Sequence, residues 1–112
     1  MKKKYRVKRN EEIESIIKNH NNYGNKYFNV YKKQNETTYF RYAISVGKKI
    51  GIAVIRVKRK RQLRDIIDNL IDFNQNLDVL VVAKATINDL EYDEMKNQLI
   101  YLFKKLNINI KN

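Results

Sequence analysis

The chain has 112 residues, enough for one domain (1–112) and too few for two. It has no Cys and a single His, His20, which excludes disulfides, thiolate metal sites, a cysteine nucleophile and a histidine metal cluster. Lys and Arg number 24 against 12 Asp and Glu, so the formal net charge is +12, and a surface that basic is a footprint for a polyanion: RNA, DNA or an anionic membrane.

The first nine residues are basic and are expected to be loosely held. No apolar stretch follows them, so a secretory signal is not expected. Asn10 is a candidate N-cap, with Glu11 and Glu12 placed to meet the helix dipole. A helix to about Asn19 would carry an apolar stripe of Ile13, Ile16 and Ile17, and His20 fits a helix end or a surface position. Residues 19–25 read as a loop. Residues 27–33 alternate, with Phe28, Val30 and Lys32 on one side and Tyr27, Asn29, Tyr31 and Lys33 on the other, the pattern of a half-buried strand. After a polar turn, residues 39–46 alternate in the same way, and the two strands are expected to pair as an antiparallel hairpin.

A basic loop bounded by Gly47 and Gly51 leads to a predicted helix over 53–73. Ile52, Ile55, Leu63, Ile66, Ile67 and Leu70 fall in one apolar sector of that helix. Arg56, Lys60, Arg61 and Arg64 fall on the other side, and Arg59 lies inside the apolar sector. Residues 78–84 form an apolar run that reads as a buried strand; it is also the longest such run and is too short to cross a bilayer. A last helix over 90–106, capped by Asn88 or Asp89, shows an apolar face of Met95, Leu99, Leu102, Phe103 and Leu106. The order α-β-β-α-β-α predicts an α+β, two-layer sandwich with the helices on one face of a small sheet.

Nothing in the chain composes a protein-borne catalytic site. The acids Asp89, Glu91, Asp93 and Glu94 sit at a helix start, where they complement the dipole. The loop 47–51 lacks the spacing of a phosphate-binding Walker loop. The charge is concentrated instead. Residues 1–64 hold 19 basic and 4 acidic residues, and residues 65–112 hold 5 and 8. Lys48, Lys49, Arg56, Lys58, Arg59, Lys60, Arg61 and Arg64 place eight cations within seventeen residues, with no acid between them. Solvated charged faces usually mix signs, so this row is the candidate phosphate contact. Tyr27, Tyr31 and Tyr39 are candidates for stacking on unpaired bases from an open face of the sheet. No helix pairs a basic face with a Trp- or Phe-rich one, so a membrane-surface module ranks last.

Residues 41–65, RYAISVGKKIGIAVIRVKRKRQLRD, resemble the signature of the bacterial ribonuclease P protein component, R-x-G-x-S-V-S-K-K-x-G-N-A-V-x-R-N-x-x-K-R-x-x-R-E. The likeness extends over nearly the whole chain, from the first helix at 10–17 to the last at 90–106. It implies a small mixed sheet with a left-handed βαβ crossover, a fold like domain 2 of ribosomal protein S5. It implies a protein subunit of a ribozyme whose RNA subunit removes the 5′ leader of precursor tRNA. Mg²⁺ would be bound mainly by that RNA, with no catalytic residue in this chain. The implied partners are the RNA subunit and precursor tRNA, with no DNA and no membrane, in the cytoplasm. The basic residues above, from Lys48 to Arg64, become the RNA-binding set. Ile13, Ile17, Tyr27 and Tyr31 become the leader-binding set. The chain departs from the pattern at Ile52 and Val57, where the family has Asn, at Arg59, a usually apolar place, and at Ile13 and Ile17, where relatives often carry Phe. The alternative is a non-enzymatic RNA-binding protein of the ribosome or its assembly.

Overall fold

A computed structural model describes residues 3–111. Helix α1 spans Asn10–Lys18, α2 spans Ala53–Leu70 and α3 spans Tyr92–Lys105, with strands β1 (Asn22–Gly24), β2 (Phe28–Gln34), β3 (Arg41–Val46) and β4 (Leu77–Ala83). They build an α+β domain on one mixed sheet ordered β1-β2-β4-β3. Among the described residues, no helix is long and apolar enough to cross a membrane.

The expected hairpin does not form. Strand β4 lies between β2 and β3, antiparallel to β2 and parallel to β3, so that Val81 faces Val30 on one side and Ile44 on the other. The reason is the apolar character of β4 on both faces. Val79, Val81 and Ala83 enter one core and Leu80 and Val82 the other, and a strand with two apolar faces is best buried at the centre. The alternating strands β2 and β3 then flank it. Residues 22–24, expected in a loop, add the short edge strand β1.

The helices occupy both faces of the sheet rather than one. Leu63, Ile66, Ile67 and Leu70 of α2 pack with Met95, Leu99, Leu102 and Phe103 of α3 on Phe28, Val30, Phe40, Tyr42, Val79 and Val81. Helix α1 crosses the opposite face, where Ile16 and Leu80 are buried with Val7 and flanked by Ile13, Tyr31 and Ala43. Arg41 fixes α1 there. Its Nη2 lies 2.7 Å from Glu12 of α1 and 2.6 Å from the nearly buried Asp78 of β4. These carboxylates hold the Arg41 proton more tightly than usual, the hydrogen bond to Asp78 being the main cause.

Residues 5–7 pack against the sheet; Met1 and Lys2 lie outside the described residues. Val7 N–H donates to Tyr42 O at 3.0 Å and its side chain is buried, while Tyr5 packs at 4.4 Å from Phe73. Asn10 is the first helical residue rather than a cap. His20 sits just past the helix at φ 55°, exposed, as a helix-end residue. Helix α3 is capped by Glu91, with Glu94 closing a capping box, and Asn88 instead donates to Ile50 O at 2.7 Å. Helix α2 stops three residues short of Phe73. Its start is set by Gly51, whose φ of 154° turns the chain and whose missing Cβ leaves room for Ile55.

Candidate nucleic-acid interface

Only the C-terminal half of α2 is anchored in the core. Ile52, Val54, Ile55 and Val57 are exposed, including the two, Ile52 and Ile55, expected in the apolar sector. The helix therefore runs off the edge of the sheet, and the sector that is buried at Leu63–Leu70 opens to solvent at its start. This splits the basic row. Arg56 and Lys60 border a depression with Val46, Ala53 and Val57, on the side facing β3. Lys58 and Arg61 flank Ala53, Val54 and Val57 on a second side. Lys48 and Lys49 are exposed on the short turn ahead of the helix. Among the described residues the ion pairs are those of Arg41, so none of these cations is neutralised by a neighbouring carboxylate.

Arg59 is set apart from the other cations. It follows the face of Leu63 and Ile66 into the seam between α2 and the start of α3. There its Nη1 donates to Leu90 O at 3.1 Å and to Gln62 Oε1 at 3.3 Å. The usually apolar position is filled by an Arg whose stem packs inward and whose charge is spent on a backbone carbonyl.

Beside α2, α1 and β3 enclose a groove on the α1 face of the sheet. One end, a cavity of about 300 Å³, is lined by Ile13, Ala43 and Ile44 and by four cations, Arg6, Lys8, Lys60 and Arg64. The other, about 370 Å³, continues past Ile13, Ile17, Leu80 and Val82, and both ends share Lys60. The Nε atoms of Arg6 and Arg56 are buried without a protein hydrogen-bond partner. On the α2 side of the sheet behind the groove, Tyr42 donates to Asp68 Oδ1 at 2.7 Å. Burial pushes its hydroxyl well above the usual tyrosine range, the bond to Asp68 adds to this, and the nearby positive charges of Arg64 and Arg6 oppose it. The groove combines an apolar floor with a cationic rim, the arrangement that takes bases on one side and phosphates on the other.

The expected leader residues are not all brought together. Ile13 and Ile17 line the groove. Tyr31 lies on the same face of the sheet but two strands away, packed beside α1, with its Oη accepting from Asn29 Nδ2 at 3.0 Å. Tyr27 does not share that face: it precedes β2 and packs against the α2–α3 core. Tyr39 is held at the N-terminal segment, 5.6 Å from Tyr5. The three tyrosines thus form no common platform.

The ribonuclease P family model matches residues 1–107. The chain belongs to the ribonuclease P protein component family. It is 37% identical over 107 residues to the ribonuclease P protein component of Bacillus cereus (strain 03BB102), covering 94% of this chain and 93% of that one. It is also 37% identical to that of Streptococcus pneumoniae (strain Hungary19A-6), covering 93% and 85%. Among solved structures, a Staphylococcus aureus RNase P protein mutant with defective mRNA degradation activity superposes with a TM-score of 0.86 at 30% identity, covering 96% and 92% of the two chains. The Thermotoga maritima RNase P protein superposes with a TM-score of 0.79 at 25% identity, covering 89% and 96%. The reading of a ribonuclease P protein subunit therefore stands over that of a ribosomal RNA-binding protein.

Sequence reasoning missed Arg6 and Lys8 as groove residues. The signal was present: Tyr5 and Val7 alternate with Arg6 and Lys8, the period of a strand laid on an apolar surface. It was hidden by the density of charge. For the metal that ribonuclease P chemistry implies, the described residues offer no group of three acids or histidines able to hold an ion. Glu12 and Asp78 are already engaged by Arg41.

Proposed function

We propose that the ribonuclease P protein acts on both RNAs of its complex. The outer row, Lys48, Lys49, Lys58 and Arg61, meets the catalytic RNA subunit. The groove between α1 and β3 holds the single-stranded 5′ leader of precursor tRNA. The leader's phosphates run along Arg6, Lys8, Lys60 and Arg64, and its bases lie against Ile13, Ile17 and Ala43. This places precursor tRNA for Mg²⁺-dependent hydrolysis of one phosphodiester bond, with the metal and the chemistry supplied by the RNA subunit. The setting is the cytoplasm. The observation that carries the reading is the groove itself: four cations from two separate elements converge on an apolar floor, and among the described residues none of them is ion-paired.

Reconstitution with a cognate RNA subunit at limiting Mg²⁺ tests it. The chain should raise cleavage of precursor tRNA and tighten its binding in proportion to the presence of a leader. Lys60→Ala and Arg64→Ala should each weaken leader-dependent binding and lower the salt slope by about 0.7, the value for one single-strand phosphate. A chain that leaves cleavage unchanged, or a benefit that is the same for leaderless tRNA, overturns the proposal.

A further inference from the structure

The far edge of the sheet carries a second surface that the basic helix and the groove do not use. Tyr23 of β1 pairs with Val30, which places its ring on the α3 face of the sheet. There it meets Tyr101 of α3 edge-on, with ring centroids 6.3 Å apart and planes at 69°. Both rings stay open to solvent, at 38% and 47% exposure, although they touch. Lys105 Nζ stands 5.5 Å from the Tyr101 centroid. The frame beneath is well fixed. Asn25 donates to Gln98 Oε1 of α3 at 2.8 Å, and its own Oδ1 accepts from the Tyr27 and Phe28 N–H groups at 2.9 Å.

The charge around this edge is of one sign. The C-terminal part of the chain is acidic as a whole, but its acids end at Glu94: residues 95–111 hold four lysines and no acid. Residues 18–35, which include β1 and β2, also hold no acid; of their lysines, Lys32 reaches the Leu106 carbonyl beside Lys105, while Lys33 lies on the α1 face against Ser15. Two exposed rings on a rigid frame, with a lysine over one of them and no carboxylate in either segment, suit unpaired nucleotides: bases stack on the rings and phosphates meet the lysines. An apolar protein partner would leave those lysines uncompensated. Strand β1 is three strands from β3, roughly 14 Å at the usual strand spacing. A strand lying in the groove therefore does not also lie here.

We propose that Tyr23, Tyr101 and Lys105 form a second RNA contact, which stacks an unpaired segment of the ribonuclease P RNA subunit at the sheet edge opposite the groove. The inference rests on the ribonuclease P reading above. It assigns the edge to the RNA subunit because the leader already has its path on the β3 side.

The test uses the full chain and the RNA subunit. Tyr23→Leu/Tyr101→Leu should weaken binding of the RNA subunit about ten-fold with the salt slope unchanged, because stacking moves no counterion. Tyr23→Phe/Tyr101→Phe should restore it. Lys105→Ala should lower the slope by about 0.7. Photocrosslinking of a 4-thiouridine-substituted RNA subunit should label the peptide that contains Tyr101, with or without precursor tRNA. The single variant Tyr101→Leu gives the same reading in smaller measure should the double variant unfold. Wild-type chain that binds the RNA subunit, beside a folded Leu variant that binds it equally well, overturns the inference. So does a Leu variant that loses only precursor tRNA. Wild-type chain that does not bind the RNA subunit at all overturns the underlying function instead.

Discussion

Arg59 and Arg61 are two residues apart on one helix and differ in what they touch, so they separate structural from electrostatic roles. Arg59 donates to Leu90 O, a carbonyl on a residue only 6% exposed, and Leu90 N–H is already used on Ile87 O. Arg59→Ala strips that carbonyl of its partner and opens the α2–α3 seam. The loss of one such bond from a partly buried site costs about 1–2 kcal/mol. In a domain of this size that lowers Tm by about 4–8 °C. The salt slope of RNA-subunit binding should not move, since the guanidinium is turned away from the polyanion. Arg61 is exposed and makes no protein hydrogen bond among those described. Arg61→Ala should leave Tm within a degree or two and lower the slope by about 0.7–0.9, the signature of one lost phosphate contact. Thermal unfolding and filter binding across a salt series read both quantities on the same samples. The reasoning fails if Arg59→Ala keeps its Tm and flattens the slope as much as Arg61→Ala does.

Arg41→Met should be the most damaging single change near the groove. It leaves Asp78, 6% exposed, with only Asn35 Nδ2 at 2.8 Å, and it releases Glu12 of α1; a loss of about 3 kcal/mol should appear in the urea midpoint, partly recovered by adding Asp78→Asn. High pH should also destabilise the fold through tyrosines. Tyr92 donates to Asp65 Oδ2 at 2.5 Å, and that bond pushes its hydroxyl up to about 12, while Tyr42 is raised further, chiefly by burial. Both are acids whose folded form keeps its proton longer than the unfolded chain, so stability holds below pH 10 and falls from there toward 12 and beyond. Tyrosinate absorbance should show these two rings lagging the rest, and Tyr92→Phe should remove the Tyr92 share of the loss between pH 10 and 12 while the Tyr42 share persists.

The periodic features of the chain were legible because burial follows period. Met95, Leu99, Leu102 and Phe103 repeat at helical spacing and all are buried, and Phe28 and Val30, or Phe40 and Tyr42, alternate into the core. Strand neighbours were not legible. Alternation tells which side chains share a face, but it does not tell which strand lies alongside, and the two-faced β4 separated a pair that looked like a hairpin. Tyr27 shows the limit of parity at an end: it lies one residue before β2, where the pleat no longer holds its ring on the Tyr31 face. Among the candidate contacts, charge was legible as composition and its direction was not. Helix α2 presents different cations to the groove and to the outside only because it overhangs the sheet, and that overhang is set by tertiary packing at Leu63–Leu70. The Tyr23–Tyr101 pair joins residues 78 positions apart in the chain, which no local pattern brings together.

The overhang leaves α2 with a weak beginning, and this makes a last prediction. Ile52 is the N-cap, at φ −67° and ψ 168°, with no side-chain bond to the helix and 70% of its surface exposed. The first turn contains no acid, and the charged residues nearest to it in the chain, Lys48, Lys49 and Arg56, are all basic, so they do not complement the positive end of the dipole. The backbone at Ile52 already has cap geometry, so Ile52→Asn needs no rearrangement to accept the Val54 or Ile55 N–H. It removes an apolar side chain that contributes little where it stands. The gain should be about 1 kcal/mol, or roughly 4 °C in Tm, with slower amide hydrogen exchange at 54 and 55. In complex with the RNA subunit the gain should shrink, because phosphates beside Lys48 and Lys49 offset the same uncompensated charge. A Tm that does not rise in the free chain would show that the start of α2 is already held by the packing of Gly51 against Ile55. An equal gain free and bound would show that RNA does not approach this end of the helix.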